Sequence, residues 1–266
     1  MKSIIERMPI PVTGLFLGLA ASGNLVQSYG ENYRSIFGLL AFMVFIGIVL
    51  KLALRGDLVK KELENPVVAS VYPTLTMGMM LLATYIKPLM PMVAPYFWGI
   101  AVILHGFLII RFSIRFLKDY NIKKVFPSWY IVYVGIVVGS VTSPAFGMQA
   151  LGRLLFWFGL ATYFALLPVV LKRVFVVREI PEPALPTLVI MCAPASLLGH
   201  GDLAFGFVTA DICICTHQTA KAFGTEILSI IFSIYISNGH NGNINQIDGW
   251  ISGHPWSNFP NFSYIG

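Results

Sequence analysis

The sequence predicts an all-α integral membrane protein built from repeated helical hairpins. Of its 266 residues, 56% are hydrophobic and only 11% are charged, and the mean hydropathy is +0.75, outside the range of soluble domains. Basic residues crowd every second gap along the chain. Seven apolar segments of roughly bilayer-spanning length follow one another: Pro9–Leu25, Ser35–Leu54, Pro66–Ile86, Val93–Ile110, Phe126–Val141, Met148–Val170 and Ala184–Leu198.

The net charge of +6 predicts the orientation of the chain rather than nucleic-acid binding. Basic residues before the first segment and after the second, fourth and sixth number 14, whereas the alternate gaps hold three, namely Arg34, Lys87 and Arg153. Positive charge is retained on the cytoplasmic side of membrane proteins. We therefore expect a multi-pass protein of the cell (plasma or inner) membrane with a cytoplasmic N-terminus and no nucleic-acid partner.

Odd-numbered and even-numbered segments differ in composition. The odd segments begin near a proline, at Pro11, Pro66, Pro127 and Pro186, and are rich in small residues; the even ones carry bulky runs such as 156–158. Small residues let helices approach closely, and proline breaks are tolerated where they are buried or face water. This predicts inner odd helices around a path and outer even helices facing lipid. The alternative is that proline and glycine are simply common in membrane helices.

Few residues of the sequence suggest metal or catalytic chemistry. His105 lies inside the fourth segment, where an ionisable group is a functional candidate, although a neutral histidine bonded to a neighbour is the favoured interpretation on an outer helix. Cys213, Cys215 and His217 are of metal-binding type, but three close ligands without a fourth make a weak pattern. With Cys192 added, the cysteines show no disulfide framework. We predict no catalytic residue, metal or cofactor.

Hydroxyl groups are the main polar feature of the odd segments. Without fixed carboxylates, such a lining favours anions over cations; alternatively, the hydroxyls bond to carbonyls one turn back. The hydroxyl residues are Thr13, Ser22, Ser70, Thr74, Thr76, Ser128, Ser140, Thr142, Ser143 and Thr187.

Small size and helix parity select the candidate residues that line or shape the path. They come from the first, third, fifth and seventh segments: Thr13, Gly14, Gly18, Pro73, Thr76, Gly139 and Pro194.

Two stretches, TGLFLGLA at 13–20 and MCAPASL at 191–197, together with the proline-led odd segments, make residues 1–198 resemble the tellurite-resistance/dicarboxylate transporter family, which includes the plant slow anion channels. The resemblance implies ten helices in five hairpins, odd helices ringing an anion path, homotrimers, and a phenylalanine of the ninth helix plugging the path. It implies transport of a C4-dicarboxylate such as malate, or of an oxyanion such as tellurite or sulfite. An integral membrane enzyme is disfavoured, because no segment groups ionisable residues at one depth.

The chain from 199 to 266 departs from this pattern and is predicted to be an aberrant tail after the transmembrane domain of residues 1–198. It contains two weak apolar stretches, 203–215 and 222–236, interrupted or flanked by acidic residues. Codons compatible with residues 221–240 can be chosen so that reading one base later gives a run ending in Thr-Phe-Pro, which resembles the family's ninth helix. We therefore predict a frameshift between Leu198 and Lys221. The alternative function is then an inactive remnant of such a transporter.

Overall fold

A computed structural model describes residues 8–118 and 120–177 and the single positions 184, 187 and 190. The seventh segment as a helix, Pro194, the cysteine-containing run at 213–217 and the tail from 199 all lie outside the described residues. The first six segments lie within them, and the described chain is helical throughout, with short turns and no strand among the described residues. The predicted all-α membrane fold is confirmed.

Nine α-helices run along the described chain, and together they account for the first six segments. They are α1 Val12–Leu25, α2 Glu31–Leu54, α3 Gly56–Glu62, α4 Pro66–Val71, α5 Thr74–Ile86, α6 Ala94–Phe116, α7 Trp129–Tyr133, α8 Val137–Thr142 and α9 Gln149–Leu171. Within the described residues, four stretches are long and apolar enough to cross a membrane: Glu31–Leu54, Pro66–Ile86, Ala94–Phe116 and Gln149–Val174.

The third and fifth segments are each broken into two short helices. In the third, Asn65 caps α4 by accepting a hydrogen bond from the Val67 N–H at 2.9 Å, and Pro73 separates α4 from α5. Proline has no N–H to continue the helical ladder. In the fifth, the break falls at residues 134–136, around Gly135 rather than at a proline. The second, fourth and sixth segments instead form the single unbroken helices α2, α6 and α9, each of 23 or 24 residues.

Burial separates the inner from the outer helices. Within the most apolar 18 residues of the stretch Pro66–Ile86, 61% are buried, against 22% in the corresponding 18 residues of each of the other three spanning stretches. The fifth segment is buried almost continuously from Val125 to Gly139. Large side chains such as Leu39, Ile103 and Trp157 instead project from the outer helices. The third and fifth segments are therefore the inner elements of the described bundle, whereas α1 buries only the face that carries Thr13, Phe16, Ala20 and Gly23.

Glycines allow the inner helices to pack closely at named points. The Phe16 ring of α1 is completely buried and lies against Gly78 of α5, where a Cβ atom would overlap it. On α9, Gly152 lies against Ser143 and Gly159 against Val137, so that two turns of α9 follow the fifth segment. These contacts identify the face of α1 that packs on α5 and the face of α9 that packs on the fifth segment.

Candidate functional site

Gly14 and Gly18 lie on the side of α1 that faces away from the described helices. The buried face of α1 carries Thr13, Phe16 and Ala20. A Cβ atom at Gly14 or Gly18 would meet no heavy atom within 4 Å. These two predicted residues therefore border open space in the described part of the chain, and between them α1 presents bare backbone.

Thr13 faces the opposite way and ties α1 to α5. The Thr13 and Thr74 hydroxyl oxygens lie 2.8 Å apart, and both side chains are buried. A second pair, Ser70 and Ser128, joins the third and fifth segments with 2.6 Å between their hydroxyl oxygens. Thr13 and Ser128 lie near the starts of the first and fifth segments, and Ser70 and Thr74 lie on the two sides of the break in the third. The two pairs therefore join the starts of the first and fifth segments to the middle of the third.

Thr76 and His105 form a buried bridge between inner and outer helices. The Thr76 hydroxyl lies 2.7 Å from His105 Nδ1, and His105 Nε2 lies 3.1 Å from the Val132 carbonyl oxygen. A carbonyl only accepts, so Nε2 carries the proton, and Nδ1 of a neutral imidazole accepts from Thr76. His105 thus joins α5 and α7 from α6. Its contacts are those of a structural histidine bonded to its neighbours.

Pro73 and Gly139 are also buried within the bundle. Pro73 starts α5, and its carbonyl oxygen lies 2.8 Å from the Thr76 hydroxyl. A Cβ atom at Gly139 would lie 2.9 Å from Leu155 Cδ1 and 3.4 Å from Val102 Cγ2, so that glycine faces two outer helices. The structure therefore separates the predicted residues into two groups. Gly14 and Gly18 border open space, whereas the others within the described residues, Thr13, Pro73, Thr76 and Gly139, are packed in the bundle.

The hydroxyl protons are largely taken up by backbone carbonyls. Thr13 donates to the Ile10 carbonyl at 3.0 Å, and Ser143 donates to the Ser140 carbonyl at 2.8 Å. Pro144 removes the N–H that would bond the Ser140 carbonyl four residues on, and the Ser143 N–H and hydroxyl bond it instead. A hydroxyl has a single proton, so a group engaged in this way accepts from other donors and cannot also donate to an anion.

A buried ion pair that the sequence did not reveal lies at the start of α1. Lys51 is 3% exposed; its ammonium group donates to Glu62 and to the Met8 carbonyl oxygen. The other Glu62 oxygen accepts from the Ile10 N–H at 2.9 Å. Ile10 lies between two prolines and supplies the N–H at the start of the helix, so Glu62 compensates both a buried cation and a helix N-terminus. The sequence signal for this ion pair would have been an acidic residue, Glu62, placed 11 positions after a basic one, Lys51.

A guanidinium group closes the opposite end of α1. Arg34 donates to Asn24 Oδ1 at 3.3 Å and to the Thr84 carbonyl oxygen at 3.4 Å, and it lies over the Tyr85 ring. Four residues after Thr84 stands Pro88, which lacks the N–H that would otherwise bond this carbonyl. The Tyr85 hydroxyl donates to the Ala20 carbonyl at 2.6 Å. Arg34 and Tyr85 therefore join the ends of α1 and α5.

Among the described residues, no three His, Cys, Asp or Glu side chains are placed to share a metal ion. Inner segments 9–25, 66–86 and 126–141 contain no Asp, Glu, Lys or Arg. A helical bundle of this kind, with broken apolar inner helices beside long continuous apolar ones, indicates a multi-pass membrane protein.

Comparison with known proteins identifies the family. The family model described as "voltage-dependent anion channel" matches residues 7–238, so the chain belongs to the voltage-dependent anion channel family. The match confirms the resemblance drawn from the sequence. It continues past Leu198, where that resemblance ends, and it stops before the Asn-rich and Gly-rich final residues.

A curated relative is an uncharacterized transporter of Methanocaldococcus jannaschii. It is 29% identical to this chain over 212 residues, which cover 70% of this chain and 59% of the relative. The chain therefore matches little more than half the length of that protein. Together with the family match, this relative supports a membrane transporter or channel of anions as the class of the protein.

Proposed function

We propose that the protein conducts small anions across the cell membrane along the open glycine face of α1. Family membership and the absence of charged residues from the described inner segments support anions as the cargo. The proposed substrates are a C4-dicarboxylate such as malate or an oxyanion such as tellurite or sulfite. A cytoplasmic N-terminus, assembly as a homotrimer and the absence of enzymatic chemistry belong to the same proposal.

The observation that carries the proposal is the contrast between the two faces of α1. One face is closed by Phe16, which lies against Gly78, and by Thr13, which contacts Thr74. The other carries Gly14 and Gly18 with no neighbour within 4 Å of a Cβ position. Small residues without polar side chains leave room for a permeating ion. The path-shaping residues are Pro73, Thr76 and Gly139, which are packed within the bundle and set the positions of the inner helices.

The chemistry available along this face is weak anion contact rather than tight binding. The hydroxyl groups of the bundle donate to backbone carbonyls, so the glycine strip offers mainly backbone C–H groups, which are weak donors. Conduction requires binding weak enough to release the ion. Selection would rest on the lack of carboxylates, on width, and on the aromatic constriction that the family resemblance implies. Pro194, outside the described residues, remains a candidate on the seventh segment.

Anion uptake into proteoliposomes tests the proposal. Gly14→Leu and Gly18→Leu fill the open face, so we expect malate, sulfite and tellurite uptake to fall to the level of protein-free vesicles. Gly99→Leu is the matched control, because a Cβ at Gly99 also has no neighbour within 4 Å but lies on the outer helix α6. Unchanged flux in both α1 variants, with wild-type activity present, would overturn the assignment.

The alternative is an inactive remnant, and a separate measurement decides it. Wild-type protein that is folded and correctly inserted but passes none of these anions would support that alternative. Sequencing the coding DNA between the codons of Leu198 and Lys221 tests the frameshift directly, since a one-base shift should restore an apolar reading frame downstream. A downstream frame that stays polar under either shift contradicts the frameshift.

A further inference from the structure

We propose that the end of α6 binds an anionic phospholipid, with the lipid phosphate on a cationic stripe and an acyl chain on the apolar stripe beside it. The cationic stripe consists of Arg111, Arg115 and Lys118, all exposed. Their spacing of four and three residues places them on one side of the helix and its continuation. This surface is separate from the inner-helix face to which the transport function is assigned.

The apolar stripe runs parallel to the cations, one residue earlier in the chain. Ile110 and Ile114 are 59% and 65% exposed, and Phe107 and Leu117 extend the same line in both directions. On a 23-residue helix, about 34 Å long at 1.5 Å per residue, Phe107 and Ile110 lie deeper toward the hydrocarbon than the cations, whereas Ile114 and Leu117 lie at the depth of the cations. The cations fall within about 8 Å of the helix end or just beyond it, which is the depth of lipid headgroups.

The guanidinium groups of the stripe lie along the apolar surface. Arg111 lies 5.9 Å from the centre of the Phe107 ring, and Arg115 lies 5.8 Å from that of Phe116. No ion pair to either arginine or to Lys118 occurs within the described residues. In the sequence between Glu64 and Glu179, Asp119 is the single acidic residue. The three cations of the stripe therefore lack counterions within the described residues, which favours the binding of an external anion.

Further cations lie on the adjoining surface of the bundle. Arg173, buried at the end of α9, donates to the carbonyls of Val125 and Lys123 and so fixes the loop that follows α6. This arrangement brings the exposed Lys124 and Lys172 onto neighbouring chain segments. A soluble anion would gain nothing from the adjacent apolar stripe, which is why a phospholipid is the favoured occupant.

Lipid retention measured by native mass spectrometry tests this inference. The purified full chain is equilibrated with equal amounts of phosphatidylglycerol and phosphatidylcholine that carry the same acyl chains. We expect the wild type to retain phosphatidylglycerol in preference. In the R111Q/R115Q/K118Q variant we expect that preference to fall by about fivefold for each cation removed. The control K60Q/K61Q/R153Q, which removes three exposed cations elsewhere, should keep it.

Three results would overturn the inference. The first is equal retention of both lipids by the wild type, which needs no variant to fold. The second is an unchanged preference in R111Q/R115Q/K118Q. The third is complete displacement of phosphatidylglycerol by inorganic phosphate, which would make the ligand a free anion. The charge-preserving variant R111K/R115K should keep most of the preference and shows that the charge, rather than local folding, is responsible.

Discussion

The Thr76 hydroxyl and His105 Nδ1 lie 2.7 Å apart in a contact from which water is excluded, and the other ring nitrogen of His105 reaches the Val132 carbonyl. One side chain of an outer helix thereby holds two inner segments in register. Since hydrogen bonds in the interior of a membrane protein contribute modestly but measurably to stability, this bridge is open to a quantitative test.

A double-mutant cycle with Thr76→Val and His105→Phe should show energetic coupling. Each single change leaves a buried polar group without its partner and should cost about 1 to 3 kcal/mol of unfolding free energy. The coupling should lie at about 0.6 to 1.7 kcal/mol. Unfolding in detergent, followed by circular dichroism, measures it. The cycle of His105→Phe with Ser35→Ala, an exposed hydroxyl of α2, should be additive; equal coupling in both cycles would contradict the bridge.

Adding one methyl group at Gly78 should destabilise the bundle. Its Cβ would overlap the completely buried Phe16 ring, and overpacking of this kind costs about 1 to 3 kcal/mol. Gly14→Ala is the matched control on the open face of α1, where alanine should be neutral or stabilise by up to about 1 kcal/mol. Thermal unfolding in detergent compares the two variants. Equal melting temperatures for both would show that Phe16 can move aside.

Removing the carboxylate of Glu62 should be costly, because it leaves the buried Lys51 charge without its counterion. Loss of one partner of a buried pair costs about 3 to 5 kcal/mol, and the exposure of Glu62 places Glu62→Gln toward the lower value. Asp57→Asn disrupts the exposed contact with Arg55 at the start of α3 and should cost at most about 1 kcal/mol. Chemical unfolding measures both. K51M/E62Q should recover part of the loss, and failure to do so would assign the loss to packing.

The role of Arg34 should depend on Pro88. Arg34→Lys removes the planar guanidinium that serves Asn24 and Thr84, so we expect a loss of about 1 to 2 kcal/mol. Pro88→Ala returns an N–H to the position that normally bonds the Thr84 carbonyl, since Lys87 before it is still helical. In the Pro88→Ala background, Arg34→Lys should therefore cost less. An identical cost in both backgrounds would contradict the assignment of this contact to the unpaired carbonyl.

Hydropathy and proline positions were sufficient to predict the helices and their division into inner and outer sets, because both depend on composition averaged over many residues. The break in the third segment falls at Pro73, which cannot continue the helical ladder, so its position follows from the residue type alone. The break in the fifth segment was not predictable in the same way, because it falls around Gly135 and not at a proline.

The directions in which individual side chains face could not be predicted from the sequence. Thr13 and Gly14 are neighbours in the chain, yet one contacts α5 and the other faces open space. Lys51 was counted among the basic residues that predict orientation, because the sequence does not reveal that Glu62, at the far end of α3, is its partner. Such features depend on tertiary contacts, which a hydropathy pattern does not contain.

The two ends of α1 are each fastened to their surroundings, at Ile10 and Thr13 by Glu62 and Thr74, and at Ala20 and Asn24 by Tyr85 and Arg34. The glycine strip lies between these attachments. Because both ends of α1 are held, the helix resists bending. For the path proposed above, the width beside α1 would then be adjusted by the volume of the residues at positions 14 and 18, in steps as small as one methyl group, rather than by movement of the helix.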